Sequence, residues 1–213
     1  MVSLQGKTVL LTGSTGSLGS AIAKKLSSAG ARIALSGTNK EKLNSLLEEL
    51  GPTHSSFPCD LSKFDEIDNL SDSVIENFGS IDILINNAGI IRDRSFLKMT
   101  EEEWDSVINV NLKSLFVVTK SVIPYMKENG YGRIVSASSI NGSAGAFGQT
   151  NYCATKAGIS GFTRALCKEV GKYGITVNAV APGFVKSVMS DSMPEEVIKA
   201  GIKMIPVGRI GTP

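Results

Sequence analysis

The stretch LLTGSTGSLGSAIA, residues 10–23, decides the fold. It opens as a short apolar run suited to a buried strand. It passes through a turn carrying Gly13, Gly16 and Gly19, and ends with helical spacing. A glycine-rich turn between a first strand and a first helix lets backbone approach a ligand closely. The helix start then offers free N–H groups and the positive end of its dipole, which suits the pyrophosphate of a dinucleotide. A glycine pattern means little by itself and gains weight from its place in the chain.

The remaining residues supply that place. Short β-branched runs at 8–13, 32–37, 55–60, 81–89, 132–139 and 175–183 alternate with helical patterns at 17–30, 40–50, 64–78, 101–128 and 151–174. The alternation predicts one α/β domain over residues 1–213, a Rossmann-type doubly wound parallel sheet with helices on both faces. The strands are nearly continuous apolar runs, as strands covered on both sides should be. Thr38 with Glu41, and Thr100 with Glu103, have the spacing of capping boxes. Gly30 and Gly174 stand where helix C-caps are expected, and Pro124 should kink or shorten the end of the fourth helix.

Composition removes several function classes. Lys and Arg number 22 against 20 Asp and Glu, a net charge of +2, and no basic run points to nucleic acid. No apolar run is read as long enough to span a bilayer, so no membrane is expected. The N-terminus enters a strand without a secretion signal, and a cytoplasmic protein is expected. Cys59, Cys153 and Cys167 lack metal-ligand spacing and read as reduced, packed thiols. The single histidine, His54, lies in the loop-like GPTHSSF and reads as a surface residue. With one histidine a multi-histidine metal site is impossible, no metal is expected, and proton chemistry falls to other side chains.

Tyr152 and Lys156 are four residues apart on a helix and share a face. A free phenol, with a pKa of about 10, exchanges protons poorly at neutral pH; a neighbouring ammonium should lower that value. Ser139 lies thirteen positions upstream of Tyr152, and Ser138 is its rival.

The chain resembles the short-chain dehydrogenase/reductase family. The resemblance rests on NNAG at 86–89, Asn111 in the long helix, Ser139 at the end of the fifth strand, YCATK with Tyr152 and Lys156, and Pro182 with Gly183. GRIVSASS, NYCATKAGISGFTRAL, GITVNAVAPGF and IPVGRIGTP look most like bacterial 3-oxoacyl-[acyl-carrier-protein] reductases. One departure stands in the opening turn. The usual pattern T-G-x-x-x-G-x-G becomes T-G-x-x-G-x-x-G, with Ser17 at the middle glycine position and Gly16 one place earlier. That variant is similar to the extended branch of the family, whose longer C-terminal substrate region has no counterpart here.

The resemblance implies roles. Tyr152 is the acid/base. Lys156 tunes it and holds the nicotinamide ribose. Ser139 binds the substrate oxygen, its spacing to the tyrosine selecting it over Ser138, and Asn111 positions a water leading to Lys156. Cofactor contacts fall to Gly13, Ser14, Thr15, Gly16, Ser17, Leu18 and Gly19 in the turn, and to Thr38 after the second strand. Asp60 contacts the adenine, and Leu61 beside it is a further cofactor contact. Asn87, Ala88 and Gly89 line the cleft, and Pro182, Gly183 and Val185 lie by the nicotinamide. SGTNK after the second strand lacks the acid that favours NAD, so NADP(H) is expected, with Lys40 supplying charge. The implied reaction reduces a 3-oxoacyl thioester on acyl-carrier protein to the 3-hydroxyacyl form in fatty-acid biosynthesis.

Lys127, Arg133, Lys168 and Lys172 are candidates to meet the acidic carrier, although two arginines of well-known relatives are replaced by Gly130 and Tyr173. The alternatives are another alcohol or ketone substrate (a sugar, steroid or short hydroxyacid) and a non-catalytic dinucleotide-binding regulator. Ile159, Phe162, Leu166 and Val170 form one stripe on the catalytic helix, and Ala154, Gly158, Gly161 and Ala165 a second. With the resemblance this implies a homotetramer. Relatives continue past GRIGTP with a helix and a final strand; if that strand is absent, a dimer is expected.

Overall fold

Alternation along the first strand sets two layers of core. Val9 and Leu11 join Ile33, Leu35, Leu43 and Leu46 in one buried cluster, whereas Leu10 joins Ile67, Leu70, Val118 and Val122 in another. The computed structural model describes residues 3–187 and 195–213. Strands β1 (Thr8–Leu11), β2 (Arg32–Gly37), β3 (Ser55–Pro58), β4 (Ile83–Asn86), β5 (Gly132–Ala137) and β6 (Ile175–Val180) form a parallel sheet in the order β3-β2-β1-β4-β5-β6. Helices α1 (Ser17–Ser28) and α2 (Lys40–Leu50) cover one face. Helices α3 (Phe64–Phe78), α5 (Ser114–Glu128) and α7 (Thr150–Val170) cover the other. The register carries one apolar row across the sheet: Ala34, Leu10, Leu84, Ile134 and Val177 are neighbours in turn, and all are buried. Each large aliphatic side chain buried in that row contributes about 1.5–3 kcal/mol. The expected doubly wound sheet is therefore present. Beside β6 the cover is one-sided among the described residues, and Val180 is left 55 % exposed.

Several local expectations need correcting. Thr38 does not cap α2: Asn39 does, its side-chain oxygen accepting from the Lys42 N–H at 2.8 Å. The two residues compete one position apart, and asparagine is at least as good a cap as threonine. At Thr100 the capping box is complete, with both reciprocal bonds to Glu103. The fourth helical pattern is α4 (Glu101–Ile108), a π-helical turn (Asn109–Lys113) and α5. The Ser114 N–H bonds back to the Asn109 carbonyl, and its hydroxyl donates to the Val110 carbonyl at 2.6 Å. Helix α5 runs on past Pro124 to Glu128, so the proline does not shorten it.

The 28 residues Glu101–Glu128 are long and apolar enough to cross a membrane by length and composition, against the expectation that no run is. Here Leu115, Val118, Val122 and Met126 are buried in the protein's own packing.

His54 is not a surface residue. It is 5 % exposed, and its Nδ1 accepts from the Ile33 N–H at 3.1 Å. The ring proton therefore sits on Nε2, which lies 2.9 Å from the Ser27 hydroxyl. Burial lowers its pKa, so the neutral ring ties α1 to β2.

Candidate active site

The strand order reverses direction between β1 and β4, the place where open α/β sheets bind ligands. The segments following all six strands border one cleft of about 1380 Å³ there. At one end lies the glycine turn. Gly13 has φ +62°, and a Cβ on it would stand 2.7 Å from the Ala88 Cα. A Cβ on Gly19 would overlap the Gly13 carbonyl, so this glycine allows helix and turn to pack. Gly16 has an ordinary φ of −74° and only the Gly13 oxygen nearby, at 3.5 Å from a Cβ placed there. The glycine shift therefore leaves the turn's shape intact. Gly16 is the N-cap of α1 and provides no side-chain cap, and no acid lies in the first turn. A helix start of this kind, opening on a cleft, fits a phosphate group.

Asn87 braces the turn from behind. Its side-chain amide donates to the Gly13 carbonyl at 3.0 Å and the Thr12 carbonyl at 3.3 Å. Thr12 Oγ1 accepts from the Asn87 and Ala88 N–H groups.

At the other end Ser139, Tyr152 and Lys156 line the same wall. Lys156 is 4 % exposed, and its Nζ donates to the Ala137 carbonyl at 2.6 Å. Burial lowers its pKa from 10.5 to about 8. Nζ lies 5.4 Å from the centre of the Tyr152 ring. The Tyr152 pKa is raised, against the expectation that the lysine would lower it. Desolvation of the half-buried phenol is the largest cause, the Ser139 hydrogen bond opposes it, and the nearby Cys153 and Asp93 add to it. Ser138 is committed elsewhere, its hydroxyl donating to the Lys156 carbonyl at 2.8 Å.

Asn111, in the π turn, is buried and grips Ile90 twice: Oδ1 accepts from its N–H at 2.8 Å and Nδ2 donates to its carbonyl at 2.9 Å. A Cβ on Gly89 would stand 3.4 Å from Asn111 Oδ1 and 3.6 Å from Lys156 Nζ, so both groups border the same glycine.

A family model described as short chain dehydrogenase matches residues 7–197. The 3-oxoacyl-[acyl-carrier-protein] reductase FabG of Rickettsia felis is 45 % identical over 213 residues, covering 100 % of this chain and 87 % of its own. The FabG of Thermotoga maritima is 41 % identical, covering 99 % and 87 %. Nodulation protein G of Rhizobium meliloti is 42 % identical over 212 residues, covering 100 % and 86 %. The chain belongs to the short-chain dehydrogenase family.

For a short-chain dehydrogenase, an oxidoreductase that binds a nicotinamide dinucleotide, the wall contains most of the residues picked out by sequence. Gly13, Thr15, Gly16, Ser17, Leu18, Gly19, Thr38, Asp60, Leu61, Asn87, Ala88, Gly89, Pro182, Gly183 and Val185 all border it. Two do not. Asn111 stands behind Ile90. Ser14 is fully buried, with its N–H and hydroxyl both donating to the Ser36 carbonyl at 3.0 Å. Asp60 accepts from the Ser62 N–H and hydroxyl, which hold its carboxyl below the usual range.

The wall also contains residues the sequence did not single out. Lys42, not Lys40, is the lysine beside Thr38, because the first turn of α2 carries Lys42 back toward the cleft. Arg209 reaches the wall because the Gly211 N–H and carbonyl bond to the Phe184 carbonyl and the Lys186 N–H, a bridge between distant segments that no local pattern signals. Asn141 and Gln149 border the Ser139 end.

Proposed function

We propose that this protein reduces the 3-oxo group of an acyl chain carried as a thioester on acyl-carrier protein, with NADPH, in the cytoplasm, as a step of fatty-acid biosynthesis. The observation that carries the reading is that Ser139, Tyr152 and Lys156 meet on one wall of a cleft whose far end is an uncapped glycine turn. The names of the reductases similar over the full chain supply the substrate.

When bound, the reduced nicotinamide supplies a hydride to the carbonyl carbon. Tyr152 gives its phenolic proton to the carbonyl oxygen, so C=O becomes CH–OH. The Ser139 hydroxyl donates to the same oxygen and stabilises the charge that builds on it. Lys156, with a pKa of about 8, is charged at neutral pH and stabilises the phenolate left behind. That value also lies close enough to neutrality for it to hand on a proton.

The decisive assay is NADPH oxidation with acetoacetyl thioesters of carrier protein, beside simple ketones and sugars. Strong preference for the carrier-linked substrate is expected; equal turnover of a sugar or simple ketone would sink the assignment.

Thr38 and Lys42 border the cleft after β2, and Asp60 is the only carboxylate along its wall among the described residues. This supports NADP(H), since a 2′-phosphate needs donors and positive charge where NAD needs an acid. Thr38→Asp should weaken NADPH binding and move preference toward NADH by about tenfold or more, the worth of one charged contact. Titration with both dinucleotides checks it, and unchanged preference would count against NADP(H).

We also propose a homotetramer. On α7, Ala154 and Ala165 are exposed and nothing lies within 4 Å of a Cβ on Gly161; only Gly158 is covered, by Leu112. On α5, Phe116 is 49 % exposed. Two helices with such faces suit isologous contacts. Light scattering should give four times the 22.5 kDa chain mass. A fully active 22.5 kDa particle at micromolar concentration would remove this reading.

A further inference from the structure

Gln149 stands at the N-cap of α7 and does not cap it. Glutamine is a poor residue there, where short polar side chains normally satisfy the first N–H groups. Its amide is used sideways instead. Nε2 donates to Asp93 Oδ2 at 2.8 Å, and Oε1 accepts from Asn141 Nδ2 at 2.9 Å. The Asn141 N–H in turn donates to Ser139 Oγ at 3.2 Å. A continuous polar chain therefore runs from the loop after β4, through the residue that opens α7, to the serine after β5.

We propose that Gln149 is a positioning residue for the reduction, holding Ser139 and Tyr152 in mutual register through the relay Asp93–Gln149–Asn141. The proposal rests on the reading of Ser139 and Tyr152 as the reacting pair. The need for it follows from the chain path. Between Ser139 and Tyr152 the backbone makes an excursion whose middle is exposed at Ser143, Ala144 and Gly145, with Phe147 95 % exposed. Gly145 and Gly148 have φ of +74° and +77°, so the excursion bends twice before α7 begins. Its near part is fixed: a Cβ on Gly142 would stand 2.8 Å from the Ala157 backbone nitrogen, where the short helix α6 (Asn141–Ala144) packs on α7. Its far part rests on the loop after β4. There the Arg94 N–H donates to the Gly148 carbonyl at 2.8 Å, and the Asn151 amide donates to the Arg92 carbonyl at 3.0 Å. Gln149 is the residue that joins the two parts.

Consequences follow at both ends of the relay. With one lone pair of Ser139 Oγ taken by the Asn141 N–H, its proton is directed elsewhere, toward the phenol or a carbonyl oxygen in the cleft. At the other end the relay holds the Asp93 carboxylate near Tyr152. Burial is the chief influence against ionisation of the phenol; the Ser139 hydrogen bond opposes that influence, Cys153 and Asp93 add to it, and the Lys156 Nζ lies 5.4 Å from the ring centre. Burial is the chief reason that Tyr152 stays in the protonated form that reduction consumes, and Asp93 so placed adds to it.

Gln149→Ala should lower kcat for acetoacetyl thioester about tenfold, a misplacement effect, while NADPH affinity and melting temperature stay near the parent's. Asp93→Asn keeps an acceptor for Nε2 and should recover much of the rate that Asp93→Ala loses. A second measurement needs neither substrate nor cofactor. Ultraviolet titration of the phenolates, with Tyr152→Phe subtracted to isolate Tyr152, should move its ionisation to lower pH in Asp93→Ala and in Gln149→Ala. A Gln149→Ala enzyme within twofold of the parent kcat, or an unmoved Tyr152 titration, overturns the relay. So does a loss in which kcat, cofactor affinity and melting temperature fall together. If Tyr152→Phe itself retains its rate, the fault lies in the assignment of the reacting pair instead.

Discussion

Replacing Tyr152 by phenylalanine should cut reduction by about 10²–10⁴-fold, the range for loss of a positioned general acid. The substitution removes one oxygen from a half-buried ring and leaves packing almost unchanged. The glycine turn and the segments after β2 and β3 lie at the other end of the cleft, so dinucleotide affinity should stay within a few fold. Burial is the largest influence on Tyr152 and raises its pKa. The phenol is therefore protonated through the neutral range, and the rate of reduction should hold until pH passes about 8, where Lys156 gives up the charge that stabilises the phenolate. Alcohol oxidation needs the phenolate and should rise with pH over the same range. Steady-state kinetics in both directions, with fluorescence titration of the dinucleotide, would test this. A loss smaller than tenfold in Tyr152→Phe would mean that another group supplies the proton.

How much of this was readable beforehand varies with distance along the chain. The sheet came from short-range signals: apolar runs of β-branched residues, the glycine turn and helix caps each occupy a few consecutive positions. Tyr152 and Lys156 are one helical turn apart, and their shared face follows from spacing alone. What sequence does not show depends on non-local terms. His54 looks like a loop residue until Ser27 and the Ile33 N–H, 27 and 21 positions away, are brought to it. Sequence shows the charge nearest Tyr152, whereas burial, which no sequence prints, dominates its pKa. Asp93 and Gln149 are 56 residues apart, and nothing in either neighbourhood announces the bond between them. The π turn at Asn109–Lys113 has residues that fit an α-helix equally well; the bond from the Ser114 N–H to the Asn109 carbonyl, five residues back, distinguishes it.

Lys156→Met should abolish useful turnover and, in the apo protein, change the pH dependence of stability in a defined direction. Burial lowers the lysine pKa from 10.5 to about 8. Below pH 8 the ammonium is charged both folded and unfolded, and the fold carries its full desolvation cost. Between pH 8 and 10.5 the folded lysine releases its proton while the unfolded one retains it, so native stability gains with rising pH. Above that window both forms are neutral and the cost is gone. The difference of 2.5 units corresponds to about 3 kcal/mol. Methionine has a similar stem and no charge, so its variant lacks this pH-dependent cost. Against it stands the hydrogen bond to the Ala137 carbonyl, whose loss costs about 1–3 kcal/mol. Near pH 7 the two terms nearly offset, and the variant should be as stable as the parent or up to about 2 kcal/mol more so. From pH 8 to 10.5 the parent should gain on it by about 3 kcal/mol, whatever the balance at pH 7. Urea unfolding of both proteins across that range measures the difference directly, since titrations common to both cancel. A stability difference that does not change with pH would mean that Lys156 is not charged and desolvated in the native state. Its role in stabilising the Tyr152 phenolate would then fall with it.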